Sequence, residues 1–490
     1  MILLCFLIFI VMWIICSQDC IKPRKFPPGP KWYPLIGAFP LFKKIYKKKK
    51  YTHLVFEELS KIYGPILGMK LGRQKLVVIS GNELVKKVLN TDEFNGRPDG
   101  FFFRARSFGK KLGILFGDGT NWSRLRYLTV KNLRSFGYGQ NEMYKNLNIE
   151  GKELVNYLND YTKKHNKTFT IDEFFGLPVF NTIWTIMTRT RFSYDDKKLD
   201  DIMTVIHEAF RSNDALGGIL SHLPFLRFII PELSGYNNLM STLDKLWRFI
   251  DDEIEHQLCL LKINKKPDNL IQAFINESGE SCDRQELIIL CLDLFMAGTK
   301  TTADTITIII AVLLHYPKWQ KIIQDDLDDI IGRENLPTIE HANLLPRVDA
   351  FISEAIRFVD MAPLGLPRKT MEDVSLEGYN IPKDTMVIVN FKSAHFDESC
   401  WDKPNEFMPE RFLDENGNFR RRTDFLPFSS GKRRCLGETL ARSSIFIFFT
   451  CILHSFKIDV PNNQELPRLD GTDGFVVSPR PYTINLIPRN

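Results

Sequence analysis

Residues 425–442 read FLPFSSGKRRCLGETLAR: an apolar approach through proline, a Ser-Ser-Gly turn, a basic pair, then Cys435 with a helical pattern opening at Leu436. A thiolate at a helix start is favoured, because free backbone N–H groups point at it and the helix dipole favours negative charge there. The pattern reads as a cysteine built to be an anion. Buried cysteines are mostly inert small hydrophobes. That reading covers the other eight: Cys5, Cys16 and Cys20 near the N-terminus, and Cys259, Cys282, Cys291, Cys400 and Cys451 in ordinary helical or loop contexts. None forms a C-x-x-C pair or a Cys/His cluster with zinc spacing, so a reducing compartment is expected and neither structural zinc nor a disulfide framework is.

Working outward, the clearest helical pattern runs from Gln285 to Tyr316 and stops before Pro317. At about 32 residues it spans roughly 48 Å, and its apolar ends mean that it threads the core. Its middle, Ala297-Gly-Thr-Lys-Thr-Thr-Ala-Asp-Thr305, places a glycine and several hydroxyls where burial calls for leucine. Two readings stand for it: a functional site, or threonines bonding back to the i−4 carbonyls. Residues 65–80 read as two short strands joined at Gly72, with further strands at Met386–Phe391 and Tyr482–Ile487.

The chain has 490 residues, 44% hydrophobic and 25% charged, which is ordinary globular composition. No linker or composition break divides residues 51–490, so they read as one large domain. The net charge of +6 makes no general case for nucleic acid. No Gly-x-Gly-x-x-Gly and no phosphate-binding P-loop occurs, which excludes a nicotinamide, flavin or nucleotide site of those kinds. Residues 1–16, MILLCFLIFIVMWIIC, carry no charge. Taken to residue 18 they span about 27 Å as a helix, enough to cross the endoplasmic reticulum bilayer. A cleaved signal peptide is the rival, but no basic region precedes the run and no small-residue cleavage site follows it. Residues 1–18 are therefore expected to be a transmembrane anchor. Lys22, Arg24 and Lys25 follow at once, which keeps the rest of the chain in the cytosol. Residues 19–50 then read as a basic, proline-rich linker, with Phe26-Pro-Pro-Gly-Pro30 as a stiff hinge and the lysine run at 43–50 facing lipid headgroups.

Phe428, Gly431, Arg433, Cys435 and Gly437 fill the F-x-x-G-x-R-x-C-x-G loop of the cytochrome P450 superfamily, and here the sequence resembles that family. The resemblance extends over essentially the whole chain, through Trp122-x-x-x-Arg126, Glu354-x-x-Arg357 and Pro409-Glu-Arg-Phe412, and lies nearest the microsomal drug- and steroid-metabolising group. It implies a mainly α fold with small β-sheets, with haem b held between the long central helix and the cysteine loop. Cys435 is then the axial thiolate on the iron. Phe428 shields it, and Gly431 and Gly437 let the backbone approach the porphyrin. Arg126, Arg368 and Arg433, with the Trp122 N–H, are the expected propionate donors. Glu354, Arg357 and Arg411 form a structural network.

Ala297 and Gly298 are expected to leave room for O2, and Thr301 to hold a water and relay protons. Lys300 breaks the pattern, since the family usually has an acid there. Three explanations stand: Lys300 is bridged by Asp304 or Asp293, the enzyme rearranges a peroxide without external O2, or oxygen activation is poorly coupled. Substrate contacts are expected from Phe101, Phe116, Phe295, Leu364, Leu366, Phe475 and Val476, with Phe102 and Phe103 on the same loop as Phe101; the lining suits a lipophilic molecule. The electrons must come from another protein, an NADPH-dependent flavoprotein reductase, with cytochrome b5 as a further donor. A basic face of Arg124, Lys131, Arg134, Lys432, Arg433, Arg434 and Arg442 is expected to steer the reductase. The expected activity is monooxygenation of a steroid, fatty acid or xenobiotic. The alternatives are a haem-thiolate isomerase or dehydratase acting on a peroxide, and a non-catalytic haem- or lipid-binding protein.

Overall fold

The computed structural model describes residues 18–164, 167–171, 174–211, 216, 218–264, 266–278 and 283–489. The expected anchor falls almost wholly outside them, at residues 1–17. The helices that build the site are α1 (Asn82–Asn90), α2 (Gly119–Ser135), α3 (Asn141–Lys164), α4 (Gly176–Thr188), α5 (Lys197–Arg211), α6 (Tyr236–Asn264), α7 (Arg284–His315), α8 (Pro346–Val359) and α9 (Glu438–Ser455).

Helix α7 is 32 residues long, and almost all of it is buried. Asp283 caps its start by accepting from the Gln285 and Glu286 amides at 2.9 and 3.3 Å, filling two of the donors a helix start leaves open. It ends at His315 because Tyr316 precedes a proline, which disfavours the helical region. Among the described residues only α7 is long and apolar enough to cross a membrane. It is instead the axis of the main core, with α3, α4, α6, α8 and α9 around it.

The strands are few and short. Ile66–Leu71 (β1) and Gln74–Ile79 (β2) form the expected hairpin, and a four-stranded sheet in the order β1-β2-β7-β4 adds Met386–Val389 (β7) and Arg368–Lys369 (β4). Thr168–Ile171 (β3), Phe456–Asp459 (β8) and Tyr482–Pro488 (β9) make a second sheet, and Val374–Leu376 (β5) pairs with Tyr379–Ile381 (β6). The strand read from Met386 stops at Val389, because the Asn390 side chain accepts from the Ser393 amide at 3.2 Å and starts a short helix.

The proline-rich stretch packs on β1 rather than standing free of it. Phe26 and Trp32 are buried, Gly68 donates to the Pro28 carbonyl at 2.7 Å, and Asp19 is ion-paired with Lys70. The lysine run lies in a helix, Phe39–Lys49, with Ile45 buried on its inner face.

Helix α8 carries Glu354 and Arg357 and also a pH-sensitive carboxyl in its first turn. Burial pushes Asp349 up to about 6, against the pull of Arg442 and Arg421. A carboxyl raised in the folded state costs nothing below its ordinary pKa near 3.8, and its cost is complete above the folded value. Asp349→Asn is therefore expected to raise stability by about 2 kcal/mol at pH 7, with the gain disappearing near pH 4. Thermal unfolding at the two pH values measures this.

Candidate active site

The loop before α9 is closed by the Cys435 amide donating to the Phe428 carbonyl at 2.9 Å, with Arg434 donating to Gly431 at 3.1 Å. Helix α9 starts at Glu438 with Gly437 as its cap. Cys435 thus lies three residues before the helix, not at its first turn as its pattern suggested. Burial pushes the thiol up, and the Gly437 amide, Arg126 and Arg434 pull it down against Glu438. A metal bound at this sulfur settles the balance, because a coordinating thiol is deprotonated outright. Gly431 has φ +70°, and a Cβ there would collide with the Leu89 carbonyl of α1. At Gly437 a Cβ would meet only the Cys435 sulfur, at 3.9 Å.

Behind this loop, guanidinium groups collect around Trp122 on α2. Arg433 stacks 3.6 Å from the Trp122 ring centroid and Arg126 lies 5.7 Å from it. Arg433 donates to the Asn95 and Gly117 carbonyls, both at 2.9 Å. Arg368 makes only long contacts, to Leu89, Asn95 and Ser429 at 3.2–3.4 Å. The Trp122 N–H expected to face an anion donates instead to the Ile114 carbonyl at 3.1 Å.

A fourth cation, Arg97, completes the group; it donates to the Leu115 and Pro367 carbonyls at 2.8 Å. Arg97 was not singled out in the sequence, although Gly96-Arg97-Pro98 and Pro367-Arg368-Lys369 carried the signal. The two segments pair through Gly96 and Lys369, with amide–carbonyl bonds of 3.1 and 2.9 Å. A Cβ on Gly96 would stand 2.6 Å from the Lys369 carbonyl, so glycine is required there to bring the two arginines together. Gly96→Ala is expected to separate Arg97 from Arg368 and lower the haem-to-protein ratio of the purified protein severalfold, read by absorbance.

Burial lowers all four guanidinium groups: Arg368 to about 10, Arg433 to about 9 with Arg368 repelling it, Arg97 with Arg433 and Arg368 as its main repulsive neighbours, and Arg126. Arginine does not give up its proton in proteins, so the meaning is that the cluster needs negative charge. The nearby Asp118 is already paired with Lys111 and accepts the Arg97 amide at 3.1 Å. Arg433 Nη1 is buried without a hydrogen-bond partner among the described residues. Four cations beside one committed carboxylate fit a dianion, and the two propionates of a haem beside Cys435 are such a dianion.

On α7, Thr301 donates to the Ala297 carbonyl and Thr305 to the Thr301 carbonyl, each at 2.7 Å. The back-bonding reading therefore describes their donor side. Lys300 is 1% exposed and donates to both Asp304 oxygens at 2.6 and 2.8 Å. Of the two bridging acids considered, Asp304 is the one used. Asp293 is paired with Arg106 and accepts the Ile114 and Leu115 amides at 2.6 and 2.9 Å. A Cβ on Gly298 would stand 2.8 Å from Ile183 Cδ1, so this glycine lets α7 lie close against α4.

The cytochrome P450 family profile matches residues 27–486. The chain belongs to the cytochrome P450 family. It is 33% identical to the farnesoate epoxidase of Bombyx mori over all of this chain and 98% of that protein. It is also 33% identical to cytochrome P450 2H1 of Gallus gallus over 98% and 96%, and 31% to the probable cytochrome P450 305a1 of Drosophila melanogaster over 98% and 97%. The P450 family binds haem b through a cysteine thiolate, and the chain is a monooxygenase of the oxidoreductase class.

The P450 network on α8 is fully buried. Glu354 accepts from Arg357 at 2.7 and 2.8 Å, from Arg411 at 3.3 Å and from the Met408 amide at 3.0 Å. Arg357 also donates to the His395 and Pro404 carbonyls at 2.9 Å. The isolated helix pair that Glu354 and Arg357 could have been is thus a junction of three segments.

The expected substrate residues divide. Phe116 packs on Phe103 and Phe475, with centroids 5.4 and 6.4 Å apart, and Phe210 of α5 lies 5.9 Å from Phe475. Leu364 and Leu366 belong to this cluster; Val476 is buried in the main core, against which Phe475 also packs. Phe295 does not join: it is buried between Phe180 and Phe249, 5.1 and 6.0 Å away. Phe101 points outward, stacked with Arg227 at 4.0 Å and 5.9 Å from Tyr236. Phe103, its loop neighbour, takes the inner place.

The basic face is largely neutralised. Arg124 pairs with Glu286 at 2.9 Å, Lys131 with Glu277 at 2.6 Å, Lys432 with Asp92 at 2.6 Å, and Arg434 and Arg442 with Glu438 at 2.7 and 3.0 Å.

Proposed function

We propose that this cytochrome P450 inserts one oxygen atom from O2 into a lipophilic organic substrate, using electrons from an NADPH-dependent flavoprotein reductase at the endoplasmic reticulum membrane. The observation that carries the substrate class is the aromatic cluster of Phe103, Phe116, Phe210 and Phe475, which brings together four different segments, with Arg106 over the Phe116 ring at 5.4 Å as a polar neighbour. The silkworm relative named for farnesoate makes an acyclic isoprenoid acid the first compound to test.

In this reading Cys435 would hold the haem iron, and Arg97, Arg126, Arg368 and Arg433 would hold the propionates. Bound haem supplies the activation of oxygen. The Thr301 hydroxyl, its hydrogen directed at Ala297, keeps its lone pairs to accept a proton-bearing water at Oγ1. Lys300 takes no part, since Asp304 occupies it. The aromatic cluster excludes bulk water from the substrate side. Residues 1–18 anchor the chain as a single span, and the catalytic body faces the cytosol. The reductase approaches a face whose cations are mostly paired, so steering is weak. Raising salt from low to physiological strength is expected to slow haem reduction by no more than about twofold.

The deciding experiment reconstitutes the holoenzyme with reductase and follows NADPH and O2 consumption with farnesoate and other lipophilic compounds. Oxygenated product that depends on NADPH and O2 supports the reading. Conversion of a lipid hydroperoxide without either, and no NADPH-dependent product, would assign the chain to peroxide rearrangement. No turnover of either kind would leave it a carrier.

A further inference from the structure

Residues 471–478 form a tight hairpin whose tip carries Phe475 and Val476. Its base is closed by Thr472 and Ser478, which exchange amide–carbonyl bonds of 2.7 and 3.1 Å. The Phe475 amide reaches the Phe210 carbonyl at 3.4 Å, and its ring meets Phe116 and Phe210. Two other bonds hold the hairpin to its surroundings: Val477 donates to the Met361 carbonyl at 2.8 Å, and Asp473 accepts from the Thr52 amide and hydroxyl at 3.0 Å. The link to α7 is at the base, where the buried Ser478 hydroxyl donates to Asp304 Oδ2 at 2.9 Å. Asp304 is itself held by Lys300, one helical turn away on α7. The carboxylate therefore divides between the Lys300 ammonium and the hairpin, and a charged acceptor makes the hydroxyl bond stronger than a neutral one would. A hydroxyl bonded to a fixed, buried ion pair has little positional freedom. Phe475 lies three residues from it, on a hairpin too short to bend independently.

We propose that the Lys300–Asp304 pair, acting through Ser478, is a positioning device that sets how far the Phe475 tip stands from α7, and so which bulky ligands the apolar site admits. The inference rests on the reading of the Phe116–Phe475 cluster as the substrate lining. It gives Lys300 a task at the position where the family usually has an acid. Lys300 and Asp304 fix geometry and touch no substrate.

The test uses the haem-loaded Ser478→Ala variant, which removes the tether and leaves the ion pair, and two iron ligands read by the Soret shift. Imidazole binds the iron with no bulk to reach the hairpin. Clotrimazole carries the same imidazole on a triaryl group that must fit against the lining. Clotrimazole affinity is expected to change by at least about fivefold while imidazole stays within about twofold. An unchanged ratio of the two constants overturns the proposal, as does an equal change in both, which marks a merely structural role. If neither azole shifts the spectrum of the parent protein, the haem-site reading fails and the inference fails with it.

Discussion

Replacing Glu354 with glutamine is expected to cost about 3–5 kcal/mol of stability. Glu354 and Arg357 are both fully buried, and the Glu354 carboxylate is the shared acceptor for Arg357, Arg411 and the Met408 amide. Glutamine preserves the shape but removes the one negative charge that the described residues place opposite two guanidinium groups, and a buried charge without a partner is what proteins tolerate least. The penalty is a large part of the 5–15 kcal/mol that typically separates folded from unfolded chains. The position of the cysteine loop depends on the same junction, because Arg357 holds the His395 carbonyl and the His395 ring accepts the Leu426 amide at 2.9 Å. Urea unfolding should show the stability loss, and the purified variant should retain little haem. A loss below about 1 kcal/mol would mean an exposed pair of the ordinary i,i+3 kind.

The second large effect is at Asp304. Asp304→Asn leaves the Lys300 ammonium buried opposite a neutral amide and is expected to destabilise by about 3–5 kcal/mol. The double replacement Lys300→Met/Asp304→Leu is expected to recover most of that loss. Burial raises the Asp304 carboxyl despite the opposing pull of Lys300 and Ser478, so desolvation weighs against keeping this charge buried. Breaking it is expensive and removing it is not, and this asymmetry is the signature of a buried ion pair. A double mutant as unstable as Asp304→Asn would show that Asp304 stabilises the fold through partners other than Lys300.

The cysteine loop, the hairpin at residues 66–79 and the long helix were all legible in the sequence, because each rests on local information: turn residues, two short β-rich runs joined at Gly72, and a stop at Pro317. The Lys300–Asp304 bridge was legible for the same reason, since its members are four residues apart on one helix. What the sequence hid was long-range. Arg97 joins the cationic cluster only through the pairing of Gly96 with Lys369, some 270 residues apart. Phe295 lies on the right helix but on the face turned to Phe180, and Phe101 gives way to Phe103 because a single short helix sends neighbouring rings in opposite directions. At Cys435 the helix start lies three residues further on than the local pattern suggests, and burial opposes the nearby amide and arginines. Coordination to iron deprotonates a thiol outright, so the thiolate character expected of Cys435 is completed by the metal.

That point also defines the most direct experiment: the carbon monoxide difference spectrum of the dithionite-reduced, haem-loaded protein beside that of Cys435→Ser. The parent is expected to show the long-wavelength Soret band of thiolate-ligated haem. The variant is expected to lose that band and, with it, at least about a thousandfold in turnover. A parent without the band, or a serine variant that keeps it, would contradict the assignment of Cys435 as the ligand on which the activity depends.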